Sequence, residues 1–343
     1  MTDTSSTAVG YNLTIGGQSF EQTANDGLEM LVFEDHVDMV DVLSVRLGGT
    51  ESQPEWNFNI GDEVECTLGQ GDSTIFKGEV TAMEPTFQVG GNTSITIRAM
   101  DKMHRLGRGR QTRFWEEMKD SDVASEVGAE SGLSVTVDET EDLMPYILQR
   151  NESNIAFMKR LAARNNFLVR VVDGQLEFKK ASFQGTATVI QMGENLQSVR
   201  WNFNSAGQVQ QVIVRGWDPS KKEPIVGMAG VSDVTAIGGG ELGAQLSAKF
   251  GDSIAYVTDV PVSSQGMANA IALSEMERHA RQFGRGTGRI KGNDALRAGT
   301  MIEFSGLSEG LNGSFYVMAT RHVIQSKTGY STEFTFCSNT MGT

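Results

Sequence analysis

Proline and cysteine are scarce in this chain: 6 prolines and 2 cysteines stand against 39 glycines in 343 residues. So few prolines exclude a collagen-like chain, and the glycines, set among 39% hydrophobic residues, mark a globular, turn-rich protein that leans towards β structure. Cys66 and Cys337 lie far apart, lack CxxC spacing and sit among alternating apolar residues in EVECTL and FTFCS. Both are expected to be free, buried strand thiols.

The usual marks of catalysis are missing too. The four histidines, His36, His104, His279 and His322, are scattered, and none has a partner at metal-ligand spacing. No GxSxG elbow, HExxH or GxxxxGK[ST] loop occurs. No catalytic residue, metal site or cofactor is therefore expected. GGGELG at Gly238 fits a glycine fingerprint only loosely and has no βαβ context, so it is read as a flexible loop. GRGTGRIKG, from Gly284, holds cations that would suit a phosphate but reads as the exit of a preceding helix, capped by Gly284. VDETED, from Val137, lacks calcium-loop spacing and reads as a solvated turn.

The N-terminus MTDTSSTAVG has neither a basic start nor an apolar run, and no window is long enough to cross a bilayer. The chain is expected to be made in the cytoplasm, without membrane insertion. A net charge of -14 repels nucleic acid at long range and excludes DNA coating unless charge is segregated by face. One stretch runs against that background. DKMHRLGRGRQTRFW, Asp101 to Trp115, carries Lys102, Arg105, Arg108, Arg110 and Arg113 beside an aromatic pair. Arginines near aromatics can grip single strands, yet the following EEMKDSD is acidic and opposes it.

Period-two alternation over Tyr11 to Met100 indicates an antiparallel β region. The period then lengthens. DSDVASEVGAESGL reads as a short helix with Asp120 or Ser121 as N-cap, and Ser153 caps a second helix over NIAFMKRLAARNN. FLVRVV, Asp173-Gly174 and QLEFKK spell a hairpin. Strands return in SVRWNFN and VQQVIVRGWDP, a glycine-rich stretch over about 220–253 reads as a long loop, and a helix is expected over about 265–283. These readings divide the chain into residues 1–104, an α/β insert over 105–182, and a second β region over 183–343.

The closing β segment echoes the first. Gly61 aligns with Gly299, Val64 with Ile302, Val80 with Val317 and Ala82 with Ala319; Val80 to Ile97 and Val317 to Phe334 are both 17 residues. Two antiparallel meanders with glycine turns can align this way by chance, but the agreement in length favours two copies of one β module.

Several motifs together resemble the baseplate hub family of contractile phage tails, which includes the late-control D proteins and the hub region of type VI secretion valine-glycine repeat proteins. They fall on Phe76 and Gly78; on Asp101, His104, Leu106 and Arg108; on Asp120, Ser121 and Asp122; and on Gln149, Asn151, Ser153, Phe157, Arg160, Leu161 and Ala162. They continue on Asp173, Gly174, Leu176 and Phe178, and on Val209, Val214, Arg215, Gly216, Trp217, Asp218 and Pro219. Asn154 departs from the family's usual Asp.

The resemblance implies two tandem tail-tube-like antiparallel β-barrel modules with a small α/β insert. It implies a homotrimer whose six modules form a pseudo-sixfold ring between a hexameric tail tube protein and a trimeric spike. Because the sequence stops at Thr343, the spike is expected to be a separate protein. Other baseplate or wedge proteins are implied as partners, with DNA or an effector passing through the lumen unbound, in a virion or tail-like particle. His104, Arg105, Arg108, Arg110, Arg113, Trp115, Trp217 and Asp218 are the candidates for an assembly interface or domain junction. The competing readings are a glycan-degrading tail enzyme, which needs two facing acids, and a nucleic-acid-binding module.

Overall fold

The computed structural model describes residues 10–21, 27–49, 56–69, 74–89, 93–308, 310–326 and 328–342. Alternating apolar residues build seven strands first: β1 (Tyr11–Ile15), β2 (Gln18–Glu21), β3 (Leu28–His36), β4 (Val42–Gly49), β5 (Glu63–Leu68), β6 (Thr74–Thr86) and β7 (Thr93–Asp101). Leu13, Ile15, Val64, Cys66 and Leu68 turn to one face, because successive side chains on a strand point to opposite sides. These strands pair in the order β3-β4-β7-β6-β5-β1-β2, all antiparallel.

A 3-10 turn, Lys102–Gly107, leads into β8 (Gln111–Lys119), α1 (Asp120–Glu130), β9 (Ser134–Val137), β10 (Leu143–Glu152), α2 (Asn154–Asn165), β11 (Phe167–Val172) and β12 (Gln175–Lys180). Ser153 caps α2, accepting from the Ala156 N–H at 3.4 Å. The expected cap of α1 is corrected. Lys119 holds the cap position without a side-chain bond, and Asp120 lies in the first turn, where it accepts from Arg164 and from Asn165 at 2.7 Å. Asp173 and Gly174, at φ 50° and 79°, make the left-handed two-residue turn that the β11–β12 hairpin requires.

The chain continues through β13 (Thr188–Gln191), β14 (Leu196–Phe203), β15 (Gln211–Asp218), β16 (Glu223–Gly230), α3 (Gly243–Ser247), β17 (Ile254–Val257), α4 (Gln265–Ala280), β18 (Gly284–Lys291), β19 (Met301–Ser305), β20 (Gly313–Gln325) and β21 (Gly329–Ser338). Three glycine readings are overturned here by packing. The stretch over 220–253 is no long loop: β16 pairs with β15 along its whole length, and a Cβ at Gly227 would lie 2.3 Å from the Ala268 backbone, so the glycine lets α4 lie on the sheet. The segment at Gly238 is tied down rather than flexible, with the Ile237 N–H donating to Asn339 at 2.9 Å and the Met341 N–H to the Glu241 carbonyl at 3.1 Å. Gly284 does not cap a helix. It opens β18, which pairs with β14 on one side and β21 on the other.

One core joins distant parts of the chain: Trp115, Phe157 and Leu161 share it with Val212, Val214, Ile225 and Met276. The large sheet is continuous, curled and almost entirely antiparallel, and it repeats itself. Gly61 and Gly299, at φ 93° and 85°, each donate to the carbonyl of Val80 or Val317 at 2.8 Å. Register shifts recur at matching places: Val80/Ala82 and Val317/Ala319, and again Leu28/Met30 and Leu196/Ser198. Arg46 reaches the Ser94 hydroxyl at 3.3 Å where Arg289 reaches Ser331 at 3.2 Å. A chance likeness of two meanders does not reproduce bulges, since each is an extra residue placed at one position.

Candidate assembly surface

The basic stretch starts where β7 ends. Buried Asp101 caps the 3-10 turn, accepting from the Met103 N–H at 2.7 Å and from the Asp41 N–H at 2.9 Å. Met103 and Leu106 point into the shared core, so His104 and Arg105 face the other way, onto Glu79 of β6. His104 Nε2 lies 3.1 Å from one Glu79 oxygen, and Arg105 engages both oxygens, with its Nε at 3.1 Å. Burial raises the Glu79 carboxyl, but the hydrogen bonds from Arg105 and His104 outweigh it and hold it below the usual range.

Arg113 lies 4.7 Å over the Trp115 ring and donates to Gln149 at 2.8 Å and to Glu130. The Trp115 indole donates to Glu126 at 2.9 Å and stacks on Phe157 at 5.3 Å. Arg108 and Arg110 are exposed, Arg110 donating to the Asn151 carbonyl at 3.1 Å. Trp217 and Asp218 end β15 in a different sheet, so the eight residues do not form one strand surface. Asp218 is held low by the Ser220 hydroxyl and by the Lys221 and Ser220 N–H groups. Around Trp217, the exposed face of β15, β16 and β17 also carries Val226, Met228, Ile254 and Tyr256.

The two copies meet where β20 changes partner. Its first half pairs with β19, and its second half pairs antiparallel with β3, from Ala319 opposite His36 to Gln325 opposite Met30. Arg321 bridges Glu34 across this seam at 3.3 Å. Beneath it, Arg297 donates to Asp35 at 2.6 Å and lies 5.0 Å over the Phe33 ring, which stacks on His322 at 5.7 Å. Burial, with Arg297 nearby, pushes the His322 imidazole down to about 4. Burial and the neighbouring Asp35 and Asp101 push Asp41 up to about 9, and burial lifts Asp101 to about 7. These groups lock a seam, and the sequence did not point to Glu79, Asp35, Asp41 or Arg297. Glu79 was within reach of inspection, being the acid beside Val80 in the repeat.

Among the described residues the other two matching edges have no neighbouring strand. The half of β6 from Ala82 to Thr86 pairs there with β7 alone, and β14, apart from one bridge between Leu196 and Met192, with β18 alone. Beyond β6, Phe87 and Val89 are exposed. A groove of about 600 Å³ over β3, β14, β18, β20 and β21 is lined by Arg200, Arg289 and Arg321 together with Glu34 and Glu333. Within it Arg321 pairs with Glu333 at 3.2 Å and with Glu34 at 3.3 Å. Among the described residues no cluster of His, Cys, Asp or Glu suits a metal, and no helix is long and apolar enough to cross a membrane.

Comparison with known proteins agrees with this architecture. The family model described as the Alg8 N-terminal domain matches residues 51–326. A probable baseplate hub protein of Escherichia phage 186 is 29% identical over 188 residues, which is 53% of this chain and 48% of the relative. This chain thus aligns with about half the length of that curated relative. The 43 kDa tail protein of prophage MuSo2 from Shewanella oneidensis superposes with a TM-score of 0.73 at 13% identity, covering 96% of this chain and 98% of that one. A tail protein from Neisseria meningitidis MC58 gives 0.73 at 11% identity, over 97% of each chain. A type VI secretion component of E. coli gives 0.64 at 11% identity, covering 95% of this chain and 76% of that one. The match to the family model over most of the chain, and a curled two-copy sheet shared with tail proteins, settle the assignment: the chain belongs to the Alg8 N-terminal domain family and has the fold of phage tail and baseplate hub proteins.

Proposed function

We propose that this protein is a structural hub in the baseplate of a contractile tail or injection particle, without enzymatic activity. It acts as a homotrimer whose six modules make a pseudo-sixfold ring. Residues 1–104 and 183–343 supply the two modules and 105–182 the insert, whose core also takes in Val212, Val214, Ile225 and Met276 from the later stretch. A ring of three duplicated chains meets a hexameric tube protein on one side and a separate trimeric spike on the other, which resolves a symmetry mismatch. Other baseplate or wedge proteins hold the ring in the particle. DNA or an effector passes through the channel without specific binding, and the net charge of -14 suits a wall that repels a polyanion.

The observation that carries this reading is the repeat itself: one strand arrangement appears twice in one chain with its register shifts preserved. Light scattering of the purified full chain tests it. A mass three times the chain's 37.2 kDa is expected, and a mass of one chain at every concentration, with no binding to tube or spike, overturns it. Arg105→Glu and Arg110→Glu are expected to lower the yield of assembled baseplate and to leave affinity for single-stranded DNA unchanged.

A further inference from the structure

We propose that the second half of β6 in one chain pairs antiparallel with the outer edge of β14 in the next chain, in the register that β20 and β3 use within a chain. The proposal takes only the number of copies from the trimer reading above. The pairing rests on the repeat. Matching register shifts align Ala319 with Ala82, which carries Ile324 onto Phe87, and align Met30 with Ser198, which carries Leu31 onto Val199. Within the chain Ile324 lies opposite Leu31. Transposed to the free edges, that pair becomes Phe87 opposite Val199, with Thr86 opposite Arg200 and Glu84 opposite Asn202.

Burial points the same way. Ile324 is 8% exposed and belongs to the core of the first copy, whereas its counterpart Phe87 is 71% exposed. The surface that would cover Phe87 exists on the second copy, where half-buried Val199 and Trp201 rim that copy's core. Charge is complementary as well: Glu84, which bridges Arg98 at 3.2 Å within the chain, would lie diagonally across from Arg200, echoing the Arg321–Glu34 bridge of the inner seam with its signs exchanged between strands. Pro85 on the free half of β6 removes one backbone donor and discourages pairing with arbitrary strands. The interface is head-to-tail, so it closes only as a ring.

Oxidative cross-linking of the full chain tests the register. Thr86→Cys with Arg200→Cys places thiols on directly opposed residues, at a separation that a disulfide spans. Under copper–phenanthroline, linked species of two and three chains are expected. The single variants should give none, and Thr86→Cys with Ser198→Cys, two residues out of register, should link at least tenfold more slowly. Phe87→Asp, a change at a site exposed in the single chain, should convert the trimer to single chains that keep the parent's far-ultraviolet circular dichroism. A trimer by light scattering whose in-register pair links no faster than the shifted pair overturns this interface and leaves the hub reading standing. Ladders beyond three chains keep the interface and overturn the trimer. A single-chain mass with no linkage overturns both.

Discussion

The two copies of the module divide the same space differently across one strand pair, and at one position the order of size is reversed. In the first, Leu43 faces Ala99 and Val45 faces Ile97 across β4 and β7. At the matching positions of the second, Gly286 faces Phe336 and Gly288 faces Phe334. A Cβ at either glycine would come within 2.3 Å of the opposing ring, so the bare backbone of β18 is what lets the phenylalanines lie flat over it. Phe304, Phe315 and Trp201 complete a ring-on-ring core there, with Phe304 and Phe336 centroids 5.2 Å apart. The first copy's core is mostly aliphatic, with Phe33 and Phe76 meeting edge-on at 5.8 Å within it. A shared backbone path thus tolerates different packing when volume is exchanged across a strand pair rather than changed at one site.

The strongest way to break this contrast is Phe336→Ala, which should cost about 3–5 kcal/mol in denaturant unfolding by opening a cavity. Gly286→Leu alone should also destabilise, by about 1–3 kcal/mol from overpacking. The double variant, Gly286→Leu with Phe336→Ala, converts the second copy to the order of the first. It should recover about 1 kcal/mol relative to the sum of the singles, since a Cβ at position 286 also meets the Arg200 carbonyl at 2.5 Å, and a simple sum would sink the size-exchange argument.

A second contrast is electrostatic. Asp41 and Asp101 of the first copy correspond to Gly284 and Ser338 in the second, so only one copy buries carboxylates at this point. Asp41 is held up at about 9, well above an unfolded aspartate near ~4. The folded chain therefore keeps a proton that the unfolded chain releases. The resulting penalty is absent below ~4 and grows as pH rises towards 9. Asp41→Asn, which keeps the acceptor for the His36 N–H, should stabilise the protein by about 1–3 kcal/mol at pH 8 and by little at pH 4.5. Thermal melts at the two pH values check this, and equal gains at both would contradict it.

The smallest expected effects separate two arginines of one sequence stretch. Glu79, the partner of Arg105, corresponds to Tyr316 in the second copy, which packs edge-on against Phe183 at 4.9 Å. Arg105→Glu sets like charges together and should cost about 1 kcal/mol, whereas Arg108→Glu, on an exposed side chain, should stay within about 0.5 kcal/mol. Chemical denaturation of both variants side by side makes the comparison.

Much of this architecture was legible in the sequence where the signal is local. Asp173-Gly174 announced its hairpin and Ser153 its helix, because turns and caps depend on a few adjacent residues. The repeat was legible because glycines and apolar spacing were retained in both copies. β16 and β18 were hidden, since Gly227, Gly286 and Gly288 are present to admit Ala268, Phe336 and Phe334, and a glycine serving a distant neighbour looks like a glycine serving a turn. The candidate site was half legible. Arg105 and Arg113 were singled out, but their partners Glu79 and Glu130 lie 26 and 17 residues away. The seam residues Asp35 and Arg297, 262 residues apart, share no local pattern at all.

That long separation also sets an order of events during synthesis. Gln325 donates to Met30 across 295 residues, so β3 cannot meet β20 until nearly the whole chain has left the ribosome. At 5–20 residues per second the wait is roughly 15–60 s. Throughout it the nascent first copy exposes a strand edge and lacks Ile324 from its core. The final strands therefore do double service: they build the second copy and complete the first, and a chain arrested before Ala319 should be recognised as unfinished and bound by chaperones or degraded.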